Sequence, residues 1–248
     1  MLNQKVVEIG SARNARAACQ LPDVDFIRDL PDIPVLPETL LLMELAVRGR
    51  AVDLDRISDV ILSDLGATSQ VFRLAARECD TSTECPKRIE DCVSGLGLQA
   101  CLEAMSKRTV TRSHQHSGVL DTWAHARDIA GISRFLAEQN GDSTPEDAYL
   151  AGLFHVLGSM PAMLGWGWVN RRSGDEYLAG LKIADAWSLP ECVLEYFSDK
   201  QNREGQSRRT EIVERAHQLS IASSTPRPAD YCFSLDVNSD VMQVVSPS

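Results

Sequence analysis

The amino-acid sequence predicts an all-α protein, and three observations carry that expectation. Apolar residues recur at helical spacing in one segment after another, as in Leu150, Leu153, Phe154 and Leu157, which fall at i, i+3, i+4 and i+7. One helix start is spelled out in full: Thr144 can cap, Pro145 suits the first helical position, and Asp147 three residues after the cap completes a capping-box pattern. No strand alternation, heptad run or fixed-period repeat competes.

Taken in order, residues 1–30 mix short apolar runs with charges and small residues without a sustained period, the pattern of a mobile lead-in. A proline-punctuated turn then delivers an amphipathic helix beginning after Pro37, with Leu40, Leu41, Leu45 and Val47 expected on its buried side. Asp53 caps a second helix whose Leu54, Ile57 and Ile61 form one apolar face. Ser63 to Cys79 reads as a third. Polar turn residues precede a short helix, the Gly95-Leu96-Gly97 break ends it, and a longer helix starts at Leu98. Residues 111–118 are polar, hold Gly118 and lack an apolar period, so the loop there is the best internal boundary. Val119 to Gln139 gives a long helix with His125, Ile129, Ile132 and Leu136 on one face, which points His125 at the core. The helix starting at Pro145 follows, with His155 beside its buried stripe and Gly158 as its stop. A short Gly- and Trp-rich stretch leads to Trp187, and the segments Trp187 to Phe197 and Thr210 to Ser220 follow. From Ser223 onward, prolines, serines and isolated hydrophobics predict a loose tail over 223–248.

Composition bounds the function. With 248 residues and 44% hydrophobic content the chain can bury a globular core. A formal charge of −10 argues against a general nucleic-acid or anionic-membrane binder, which would carry a basic face. Seven cysteines, at positions 19, 79, 85, 92, 101, 192 and 232, include no CxxC pair and suit a reducing compartment. The sequence shows neither a secretory leader nor an apolar run of the roughly 18 residues that a membrane span needs, so the expected location is the cytoplasm. A nucleophile motif such as GxSxG and a Gly-rich phosphate loop are both missing.

The segment AGLFHVLGSM, residues 151–160, resembles AGLLHDIGK, which carries the paired His-Asp of the HD phosphohydrolase superfamily. WAHARDIAG around His125 is similar to WRHSLAVA, whose His is the first metal ligand of active members. TEIVERAHQLS resembles IVRLADLLA and places His217 where the superfamily carries its last Asp ligand. LPDIPVLPETLLLMELAVRG, SDLGATSQVFRLAAREC (resembling QDPALTARLLRLAN) and WSLPECVLEYF (resembling WGLPEEIVEAI) look in turn like the opening, third-helix and late segments of the HDOD branch. The resemblance spans roughly residues 31–222, divided into an N-terminal helical layer at 31–117 and a degenerate HD-like core at 118–222. It implies a bacterial signalling or scaffold module that works by protein interaction. The departures fall at the motif's centre. Val156 stands where the superfamily's bridging Asp would be, Ser159 replaces a frequent Lys, and Ser198, Asp199 and Lys200 replace a common His pair.

His125, His155 and His217 are three of the five histidines, and the resemblance puts all three on ligand positions. Three imidazoles can hold zinc, iron or manganese with a position left for water, and the alternative function is therefore a metal-dependent phosphohydrolase on a nucleotide or phosphoester. A binuclear hydrolytic site needs carboxylate as well as imidazole, and Val156 removes the central one. The preferred expectation is no metal, no cofactor and no catalysis, with His125 and His155 held in the core by a backbone carbonyl or by each other. The remaining candidates rank lower. Trp123, Trp166, Trp168 and Trp187 are expected in the core rather than around a ligand, Arg203 to Arg209 in a solvated turn and helix start, and His114 with His116 in a polar loop. The partner is expected to be a signalling protein, with neither nucleic acid nor membrane.

Overall fold

Aspartates open two of the early helices. The computed structural model describes residues 30–49, 53–79, 86–107, 110, 118–166, 175–202 and 205–222. The lead-in up to residue 29, the loop at 111–117 with His114 and His116, Trp168, the start of the Arg203 run and the tail from residue 223 lie outside the described residues. Helix α1 spans Pro37–Arg48, α2 Leu54–Leu62 and α3 Leu65–Glu78. Pro37 sits at the first position of α1, where its missing N–H costs nothing. The Asp53 carboxylate accepts from the backbone N–H groups of Asp55 and Arg56 at the start of α2, and Asp64 does the same for Gly66 and Ala67 at the start of α3. Between them α3 is buried nearly all round, from Leu65 through Arg73, and so forms the centre of the N-terminal half.

Helices α4 (Ile89–Leu96) and α5 (Leu98–Met105) pack on α3 and are separated by Gly97, whose φ of +81° is a conformation that glycine adopts without strain. The helix from Leu98 is no longer than the one before it. Helix α6 runs Val119–Gln139 behind Gly118, also at positive φ, and α7 runs Pro145–Phe154. A 3₁₀ turn, Leu157–Ser159, and the short α8, Met160–Met163, follow. Helices α9 (Asp175–Ala186), α10 (Glu191–Asn202) and α11 (Arg208–Ala222) complete the described chain, with α6, α7 and α11 packed on one another. Helix is the only extended regular structure among the described residues. The Val110 N–H to Val35 carbonyl bond at 2.9 Å is an isolated bridge.

The structure corrects several expectations. In α1 the buried residues are Thr39 and Met43, while Leu41 and Leu45 are each 58% exposed and Leu40 and Val47 only half-buried. A leucine-rich helix carries apolar residues on more than one face, and what orients it is polar: Asp64 takes the Leu36 N–H at 2.8 Å and a hydrogen bond from Thr39. Thr144 stands at the N-cap of α7, yet its side chain makes no cap hydrogen bond: the Asp147 N–H goes to the Thr144 carbonyl at 3.0 Å, the Thr144 N–H to the Asp142 carboxylate at 3.2 Å, and the Asp147 side chain pairs with Arg209. Helix α7 stops at Phe154 rather than at Gly158, and His155 becomes its C-cap residue. Gly158 has a different task. A Cβ there would lie 1.8 Å from the Glu176 carbonyl oxygen, so only glycine lets the 3₁₀ turn rest on the backbone of α9.

Candidate metal centre

His125 projects from the first half of α6, His155 from the C-cap of α7 and His217 from α11, and the packing of these helices brings the three half-buried rings together. Ring centroids lie 5.1 Å apart for His125 and His155, 4.8 Å for His125 and His217, and 4.7 Å for His155 and His217, each pair edge to face. One nitrogen from each ring lies within 4.8 Å of the others. The turn that ends α7 early is what aims His155: Nδ1 meets the Gly152 carbonyl at 2.5 Å, which assigns the proton to Nδ1 and leaves the Nε2 lone pair facing His125 Nε2 at 3.3 Å. Gly152 earns its place by proximity to α6, since a Cβ would fall 2.9 Å from the Ala130 Cα.

Burial sets the charge state. Desolvation pulls the His155 imidazole down to about 3, with His217 and His125 adding to the effect, and desolvation lowers His217 as well. Both rings are therefore neutral at physiological pH, the form that binds metal. A cavity of about 480 Å³ opens in front of the triad, lined also by Val156, Ser159, Glu176, Tyr177, Tyr196 and Glu214. Glu214, one turn before His217, is tied to Lys200 at 2.8 Å and accepts from the Tyr196 hydroxyl at 3.5 Å. Lys200 thus serves the rim rather than the centre, and Asp199 lies elsewhere, accepting from Ser207 N and Thr210 Oγ1 at the start of α11.

A binuclear HD-type site does not fit these residues. The ligand atoms are three imidazoles, and Val156, beside His155 on the cavity wall, has no lone pair for a second cation. A mononuclear imidazole-bound ion suits the donor set. Glu176, Tyr177 and Glu214 carried no motif in the sequence, and only the packing of α9 and α11 reveals them as the rim.

The other candidates fall away from this centre. Trp123 and Trp187 are buried and Trp166 stacks near Trp187 at 6.0 Å between centroids, and these tryptophans line neither this cavity nor a second one. The basic run leads into the start of α11 with Arg208 exposed, whereas Arg209, at 23% exposure, pairs with Glu195 and Asp147. Cys92, Cys101 and Cys192 are free thiols, and burial pushes Cys92 and Cys192 up to about 12. The second cavity, about 640 Å³, lies away from the histidines, with Leu36, Leu42, Val60, Ile89, Leu120 and Leu150 among its walls. No described helix is long and apolar enough to cross a membrane.

The sequence profile of the HDOD domain matches residues 33–165. No curated protein matches the chain. Among solved structures, the MmoQ response regulator of Methylococcus capsulatus strain Bath superposes with a TM-score of 0.61 at 14% identity, over 79% of this chain and 89% of that one. A second structure of that regulator, fragment 20–298, gives 0.59 at 13% identity, over 83% and 92%. At such identity the likeness establishes a shared fold.

Proposed function

The chain belongs to the HDOD domain family, and from that premise we propose that it is a non-catalytic signalling or scaffold module acting on a partner protein in a bacterial cytoplasm. One observation carries this reading: the position that supplies the bridging carboxylate in the HD superfamily is the isopropyl group of Val156, in a cluster of imidazoles alone. Phosphoester hydrolysis by a metal pair needs that anion to hold the two cations and balance their charge. A row of exposed leucines, Leu41, Leu42 and Leu45, offers a protein partner an apolar ridge beside the larger cavity. That MmoQ is a response regulator is in keeping with a place in signalling.

The rival reading, a phosphohydrolase using His125, His155 and His217, draws on their convergence. Purified protein assayed on phosphodiesters and nucleotides with added manganese, iron or zinc separates the two. No turnover is expected, and the wild-type chain used as bait in an extract of its native host should retain a signalling protein that a Leu41→Glu/Leu45→Glu variant releases. Turnover that disappears in His155→Ala would overturn the proposal in favour of the enzyme.

A further inference from the structure

We propose that His125, His155 and His217 bind one divalent transition-metal ion of the zinc class, in a mononuclear site with a coordination position open to the cavity. The geometry is the first ground. A tetrahedral ion with metal–nitrogen bonds of about 2.0–2.1 Å sets its ligand nitrogens about 3.3 Å apart. His125 Nε2 and His155 Nε2 already stand at 3.3 Å. The third ring closes a nearly equilateral set, with centroid separations between 4.7 and 5.1 Å. Three imidazoles arranged around one point on three different helices form a facial set for a single ion. His217 therefore needs only a shift of its nitrogen toward the other two, from within 4.8 Å.

The second ground is orientation. Metal-bound histidines commonly donate their other ring N–H to a carbonyl or carboxylate, and Gly152 O performs that role for His155 Nδ1. The Nε2 lone pair is thereby committed to the centre before any ion arrives.

The donor set selects the ion. Imidazole suits zinc, iron, nickel and copper, whereas magnesium and calcium require oxygen. A second ion has no bridging anion, because Val156 fills that place and Glu214 is engaged by Lys200. Glu176 and Glu214 on the cavity wall offset the ion's charge from the outer sphere, and the cavity of about 480 Å³ leaves room at the fourth position for water or a small anion. The inference goes beyond the module reading and does not depend on it. Failure to bind metal leaves that reading standing, while hydrolytic turnover would overturn it and leave the metal site intact.

The test uses the full chain, freed of any polyhistidine tag, stripped with chelator and titrated with zinc and with cobalt. Close to one ion per chain is expected, with the visible absorption of four-coordinate cobalt and a rise in melting temperature on zinc binding. His125→Ala, His155→Ala and His217→Ala should each weaken binding by more than about 100-fold, beyond the roughly 10–100-fold that loss of an outer-sphere partner costs. His114→Ala/His116→Ala should bind as wild type, which sets the triad apart from histidine content. Should His217→Ala fail to fold, His217→Asp keeps a ligand and a fold, and should retain one ion while shifting preference toward manganese. Two ions per chain, no stoichiometric ion, or an ion that persists undiminished in His155→Ala would overturn the proposal.

Discussion

Asp64 is the buried group on which the N-terminal half turns. Fully enclosed, its carboxylate accepts from Leu36 N at 2.8 Å, Gly66 N at 2.8 Å, Ala67 N at 3.2 Å and the Trp123 indole at 3.2 Å. Burial pushes the carboxyl above its ordinary value and these donors pull it back, with burial the larger effect. Asp64→Asn keeps the shape but turns an amide NH₂ toward one of those N–H groups, leaving a buried donor unmet. The expected loss is about 2–3 kcal/mol in urea unfolding. Its pH dependence follows from the sign of the shift. A carboxyl raised on folding contributes stability that is full below its unfolded value, about 3.9, and is lost as pH rises through the folded value. The gap between wild type and variant should therefore be widest near pH 4 and narrow above it, and a gap that widens with pH would show that burial is not the dominant influence.

Helix boundaries show what sequence period conveys and what it leaves to tertiary contact. The extent of α6 could be read from spacing alone, Val119 to Gln139, because a long helix between polar ends has one consistent period. The face of α1 could not, since leucines on several sides leave the period undecided and a hydrogen bond to Asp64 from a distant helix start settles it. The candidate site was legible in part: three histidines could be placed on α6, α7 and α11, but their mutual approach depends on helix crossings that no local pattern encodes. Gly158 illustrates the same limit, looking like a helix stop and acting as a contact. Gly158→Ala should cost about 1–3 kcal/mol or more, because the obstacle is the Glu176 backbone and α9 must move. Gly95, within α4 and with nothing near its missing Cβ, should respond oppositely, Gly95→Ala gaining about 0.5–1 kcal/mol. Equal responses at the two glycines in denaturant melts would show that the close approach at Gly158 is not what holds the turn.

At the scale of the molecule, the question is whether the two halves on either side of residues 111–117 unfold together. One apolar cluster runs from Leu30 through Phe72 and Met105 to Trp123, Phe154, Phe197 and Ala216, so no polar seam divides the described residues of the two halves. Polar ties cross as well among the described residues. The Trp123 indole donates to Asp64, the Tyr149 hydroxyl donates to the Leu62 carbonyl at 2.9 Å, and the Arg73 guanidinium stacks 4.2 Å from the Trp187 ring while pairing with Asp32. Opening either half alone breaks the two hydrogen bonds and uncovers the Arg73–Trp187 contact, which makes partial unfolding costly. The chain supplies its own reporters: all four tryptophans, at positions 123, 166, 168 and 187, lie in the second half, whereas helical circular dichroism reports on both. Phe72, buried in α3 of the first half, gives the decisive variant. Phe72→Ala should remove about 3–5 kcal/mol and move the tryptophan-fluorescence midpoint as far as the circular-dichroism midpoint, since a two-state chain passes a local loss to every probe. A fluorescence midpoint left at its wild-type position would show that the halves fold as separate units, and would place the working boundary of the module at residues 111–117 rather than at the ends of the helical region.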